Sequence, residues 1–161
     1  MHPYFNTEEN KEKLRKELSE WIGTTFVYNC AGFAQKHLKA DCVSFPIQVY
    51  KDLGLIQNDF STPDYISVNS PFNEFGRILN GINNIFGLVK IWEQKDGPLV
   101  KAGIMFGDVI VCMRGGNPHL LIYTDNNTCW HCWPQLNVSR YPFNRRIVHS
   151  TAKGVYRFYV Q

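Results

Sequence analysis

At 161 residues, with 44% hydrophobic and 19% charged positions, the chain suits one domain long enough to enclose a core. A net charge of +3, with no basic cluster beyond the pair Arg145-Arg146, excludes the electrostatic footprint of a nucleic-acid binder. No window reaches the apolar length of a membrane span.

The opening stretch MHPYFNTEENKEKLRKELSEW lacks the basic-then-apolar order of a secretory signal. The five cysteines (Cys30, Cys42, Cys112, Cys129, Cys132) are an odd number. Together these features imply reduced thiols in the cytoplasm where the chain is made. Asn6 or Thr7 can cap a first helix, with Glu8 and Glu9 in its acidic first turn and Leu14, Leu18, Trp21 and Ile22 as its apolar stripe. Gly23 ends it. After an irregular stretch, Phe45, Val49 and Leu53 recur at four-residue steps and mark a second helix that ends at Gly54. Pro46 removes a backbone donor near its start, so the helix is expected to begin late, near Ser44.

Residues 57–69 read as loop. Ser70-Pro71 then opens a third helix, with Phe72, Phe75, Leu79, Ile82 and Phe86 on one face. From Gly107 the period changes to that of strands: GDVIVCM, HLLIYT, TCWHCW, LNVSRY and GVYRFYV, separated by turn-formers such as Gly115-Gly116-Asn117-Pro118. Helices first and antiparallel strands second make an α+β plan, with a helical part at about 7–90 and a sheet part at about 104–160 of a single domain 1–161.

Cys42 falls at or just before the first turn of the second helix. Backbone N–H groups there lack internal partners and the helix dipole is positive, which biases a thiol towards thiolate. Taken alone, Cys42 reads first as a small buried core cysteine. A thiol nucleophile needs a base, and the base needs a group to orient it. Five histidines are available: His2, His37, His119, His131 and His149. If Asp125-Asn126-Asn127 is a three-residue hairpin loop, Leu121 faces His131, and His119 lies diagonal to His131 on one sheet face. One imidazole then acts as base and the other holds its ring. A loop of even length would turn His131 to the other face.

The runs WIGTTFVYN, ADCVSFPIQVYKDLGLI, GDVIVCM and HLLIYTDNNTCWHC resemble, in order and spacing, the NlpC-like cysteine peptidases. These are papain-like enzymes that cleave peptides of bacterial cell walls. The resemblance runs from about Trp21 to the end, loosely over 57–103. It is carried by Asp41-Cys42, by Gly107-Asp108, and by His119 and His131 twelve positions apart. It implies a papain-like fold in which N-terminal helices pack on a small curved antiparallel sheet. It also implies Cys42 as nucleophile, His119 as base and His131 as the residue orienting His119. The implied substrates are peptidoglycan stem peptides, with no cofactor or metal. The closing segment, Arg145-Arg146 followed by VYRFYV, looks most like the branch found in phage tails and gene-transfer agents. Such particles would carry the enzyme to the wall, with other tail proteins as its partners.

Two positions depart from the pattern. Many family members have tyrosine where this chain has Phe26, and Tyr28 stands two residues on. Val43 follows the nucleophile where serine is common, which weakens an expected grip on a free stem-peptide N-terminus through Asp41. As a helix cap, Asp41 has an equally good structural role. Three other readings compete. Cys129-Trp130-His131-Cys132 contains zinc-ligand residue types, yet in a strand Cys129 and Cys132 point to opposite faces. The same thiol chemistry serves acyl transfer or deamidation of a host protein, as in delivered toxins. Cysteine before histidine disfavours the permuted lipid acyltransferases of the superfamily. A non-catalytic structural tail component is the third.

Overall fold

The computed structural model describes residues 2–28, 30, 34–56 and 88–160. The expected third helix and the loop before it lie outside those residues.

Thr7 caps helix α1 (Glu8–Trp21): its hydroxyl accepts from Asn10 N at 3.3 Å, and Glu8 and Glu9 occupy the first turn. Leu14, Leu18 and Trp21 are buried on one stripe. Ile22 does not join them. The helix ends at Trp21, Ile22 has left helical geometry, and its side chain is 47% exposed.

Helix α2 (Ser44–Asp52) begins where Pro46 dictates. Without an N–H, Pro46 cannot close an i→i−4 bond to Cys42, so residues 42–43 form a turn and the regular helix starts at Ser44. Pro46 is then the third helical residue, in the first turn where a missing donor is tolerated. Phe45, Val49 and Tyr50 are buried, and Gly54 closes the helix at φ +73°.

The strands are β1 (His2–Pro3), β2 (Leu88–Glu93), β3 (Val109–Arg114), β4 (Asn117–Tyr123), β5 (Thr128–Trp133), β6 (Asn137–Pro142) and β7 (Ala152–Val160), with a short helix α3 (Arg146–Thr151) before the last. They form one curled antiparallel sheet in the order β1-β7-β3-β4-β5-β6, with β2 also paired to β7. The five strands expected beyond Gly107 are all present. The sheet also recruits β1 and β2 from outside 104–160. In β2 a register shift between Lys90 and Trp92 breaks the period-two pattern. Side-chain alternation feeds two clusters. Val109, Val111, Leu120 and Ile122 pack with α1 and α2, while Ile110, Cys112, Leu121 and Val155 pack with Trp92, Leu99 and Val148 of α3.

Gly107-Asp108 joins these parts. Gly107 sits at φ +81°, and a Cβ there would overlap the Phe5 ring, so the position requires glycine on two grounds. Its carbonyl accepts from Tyr50 Oη of α2 at 3.0 Å and its N–H donates to Tyr123 O at 2.8 Å. Asp108, fully buried, receives Nε and Nη2 of Arg157 at 2.8 and 2.7 Å, and Met105 N at 2.7 Å. Among the described residues, no helix is long and apolar enough to cross a membrane.

Candidate active site

The turn carrying Cys42 is held by its neighbour. Asp41 Oδ1 accepts from Val43 N (3.0 Å) and Ser44 N (2.7 Å), while Ser44 Oγ accepts from Asp41 N (3.0 Å), a reciprocal cap. Asp41 Oδ2 also accepts from Cys30 N at 2.7 Å, which ties the preceding loop to the helix start. Asp41 is therefore a structural residue. Val43 is wholly buried in the core beneath the helix, so it offers a substrate nothing.

Cys42 stands at the helix start as expected, but its thiol is not ionised by that position. Burial, then the Asp41 carboxylate, push it up to about 12, against its own backbone N–H and Arg114, which pull it down. All five cysteines are described. Four are buried and Cys42 is partly exposed, so access distinguishes it where acidity does not.

The histidines meet through the predicted register. Thr124 N donates to Thr128 O at 2.8 Å, Tyr123 pairs with Cys129 and Ile122 with Trp130. Asn126 and Asn127 take φ of 56° and 59°, which asparagine tolerates better than most residues. The three-residue loop fixes the diagonal, and His119 Nε2 lies 3.1 Å from His131 Nδ1. Both rings are fully buried. Trp133 meets His119 edge-on with centroids 4.7 Å apart, and Tyr141 lies 4.6 Å from His131. Burial, then the Arg114 cation, then His131, hold the His119 pKa well below its ordinary value. Burial and Arg114 push His131 down to about 4. Both imidazoles are neutral at neutral pH. His119 Nδ1 and His131 Nε2 are buried without a hydrogen-bond partner among the described residues. In one tautomer His119 Nε2–H donates to His131 Nδ1, and His119 Nδ1 is a vacant proton acceptor.

Cys42 opens into a cleft of about 120 Å³ that is also lined by Phe26, Tyr28, Arg114, Asn117 and Trp133. Tyr28 is 68% exposed at its mouth. The Cys42 thiol donates to Pro118 O at 3.4 Å, so it touches the strand at the peptide unit leading into His119. No hydrogen bond joins Sγ to the imidazole. His119 shares its strand face with Leu121, and thus leaves β4 on the side away from the body of α2. The structure therefore brings the thiol to the His119 backbone and the two rings to each other, with Trp133 common to the cleft and to His119. Cys129 and Cys132 fall in opposite clusters, and no group of three or more His, Cys, Asp or Glu among the described residues can hold a metal ion.

Arg114 and Trp133 were not singled out from the sequence, although alternation points to them. Trp133 lies two residues after His131. Cys112 pairs with His119, so Arg114, two residues further on, shares its face.

No protein-family model and no curated protein matches the chain. Solved structures do. An NLP/P60-family protein similar to lipoprotein from Staphylococcus aureus superposes with a TM-score of 0.59 at 15% identity, over 99% of this chain and 44% of that one. An NlpC/P60-family protein of Bacillus cereus gives 0.57 at 14%, over 90% and 39%. NlpC1 of Trichomonas vaginalis gives 0.58 at 12%, over 99% and 48%. The chain thus spans less than half the length of each of these three. The protein has an NlpC-like α+β fold.

Proposed function

We propose that this protein is a cysteine peptidase or amidase that hydrolyses peptide bonds in peptidoglycan stem peptides through a Cys42 thioester. The observation that carries the reading is the buried His119–His131 pair, whose open Nδ1 belongs to the strand that Cys42 touches. The NlpC-like fold supports it, since the solved structures it resembles include NlpC/P60 proteins.

Starting from a neutral thiol and a neutral imidazole, the chemistry begins with proton transfer from Sγ to His119 Nδ1 as Sγ attacks the scissile carbonyl. This step requires Sγ, which faces Pro118 O in this structure, to come within hydrogen-bond reach of Nδ1. In this reading the backbone N–H of Cys42 serves as the oxyanion donor. Collapse of the tetrahedral intermediate breaks the C–N bond, and Nδ1–H protonates the departing amine. Water, deprotonated by the same nitrogen, then cleaves the thioester and restores the thiol. His131 acts by orienting His119. Carriage to the wall by a phage-tail or gene-transfer-agent particle rests on the closing segment's likeness to that branch.

Acyl transfer and hydrolysis share the thioester and differ in what attacks it. Digesting a stem peptide in heavy-oxygen water separates them. Hydrolysis places one heavy oxygen in the new carboxylate. A product joined to an added amine, without heavy oxygen, would replace the hydrolase by a transferase.

A further inference from the structure

Arg114 ends β3 with its guanidinium over two rings, 5.0 Å from the Trp133 centroid and 5.7 Å from that of Tyr141. These contacts are made with the π-faces of the rings and satisfy no N–H donor of the guanidinium. Nε and Nη2, the two donors of one edge, are buried and have no hydrogen-bond partner among the described residues. Leaving such donors unmet inside a protein is costly, and the penalty ends when an acceptor arrives. Asp41, the carboxylate of the same cleft, accepts from the backbone N–H groups of Cys30, Val43 and Ser44.

The protein already shows what that edge takes. Arg157 presents the same pair of atoms, Nε and Nη2, to the two oxygens of Asp108 at 2.8 and 2.7 Å. Arg114 lines the cleft beside Cys42, and among the described residues no aspartate stands across the same edge. We propose that Arg114 is a specificity residue that binds a free carboxylate of the substrate peptide, bidentate on Nε and Nη2, beside Cys42. This deepens the peptidase reading and rests on it for the identity of the peptide. The electrostatics agree. Arg114 is among the groups that disfavour a proton on His119 and His131, and a bound carboxylate cancels that field. The base then accepts the thiol proton more readily once substrate is seated.

The test uses a stem tetrapeptide with its carboxylates free and the same peptide with every carboxylate converted to carboxamide. Calorimetric binding is measured on the Cys42→Ala protein, which cannot turn either over. The acid form is expected to bind about ten- to a hundredfold more tightly, as for a charge-assisted pair. Adding Arg114→Gln brings the ratio close to one. Arg114→Lys keeps the charge without the fork and leaves an intermediate ratio. A ratio near one in the starting protein, or one that Arg114→Gln does not move, overturns the assignment. If melting shows that Arg114→Gln does not fold, Arg114→Lys decides, and an undiminished ratio overturns the assignment equally. Cleavage by the wild-type chain is scored apart. Acid-selective binding without Cys42-dependent cleavage keeps Arg114 and removes the peptidase reading. Cleavage without acid selectivity does the reverse.

Discussion

Replacing His119 by alanine is expected to lower turnover of a stem peptide by about 10²–10⁴-fold, because in the proposed mechanism one nitrogen both takes the thiol proton and returns it to the leaving amine. The thiol cannot compensate, since burial has pushed it up to about 12 and little thiolate exists near neutral pH. On the same mechanism His131→Ala removes the group proposed to align the ring, at an expected cost of about 2–3 kcal/mol in the barrier. His131→Asn retains an oxygen to accept from His119 Nε2–H and keeps most of the activity. A dead His131→Asn beside an active His119→Ala would reverse the two roles. Alkylation gives a check that needs no substrate. With a neutral resting thiol, iodoacetamide labelling of Cys42 rises about tenfold per pH unit through the neutral range. A plateau from acid pH upward would instead mark a preformed thiolate–imidazolium pair.

The largest loss of stability is expected from Asp108→Ala. The mutation leaves the Arg157 guanidinium, whose side chain is 12% exposed, without its bidentate partner and leaves Met105 N–H without an acceptor. Breaking a buried pair from one side costs about 3–5 kcal/mol. The urea midpoint should fall with the slope unchanged. The double replacement Asp108→Leu with Arg157→Met removes both charges and recovers much of the loss. A double mutant no better than Asp108→Ala alone would show that the pair is not what the position contributes.

Short-range chemistry was the legible part of this sequence. The Asp125-Asn126-Asn127 loop fixes one register, and strand alternation then puts two histidines on one diagonal, which needs no knowledge of the rest of the chain. Pro46 likewise announces the late start of α2. What the sequence concealed depends on packing. The helix start argues for a thiolate, but desolvation by residues distant in sequence opposes it and wins. Gly107-Asp108, prominent in the family resemblance, is a structural joint whose partners Phe5, Tyr50 and Arg157 are scattered along the chain. The bulge in β2 hid a strand by breaking its alternation. Arg114 carries no local signal of being unpaired, because that property is defined only by what folds around it.

The most direct measurement is a paired digestion of purified stem peptides by the wild-type chain and Cys42→Ala, with products identified by mass. The wild type is predicted to release fragments carrying one new amino and one new carboxyl terminus, and Cys42→Ala to release none. Equal release by both proteins, or none by either, would contradict the assignment of Cys42 as the nucleophile of a cell-wall peptidase.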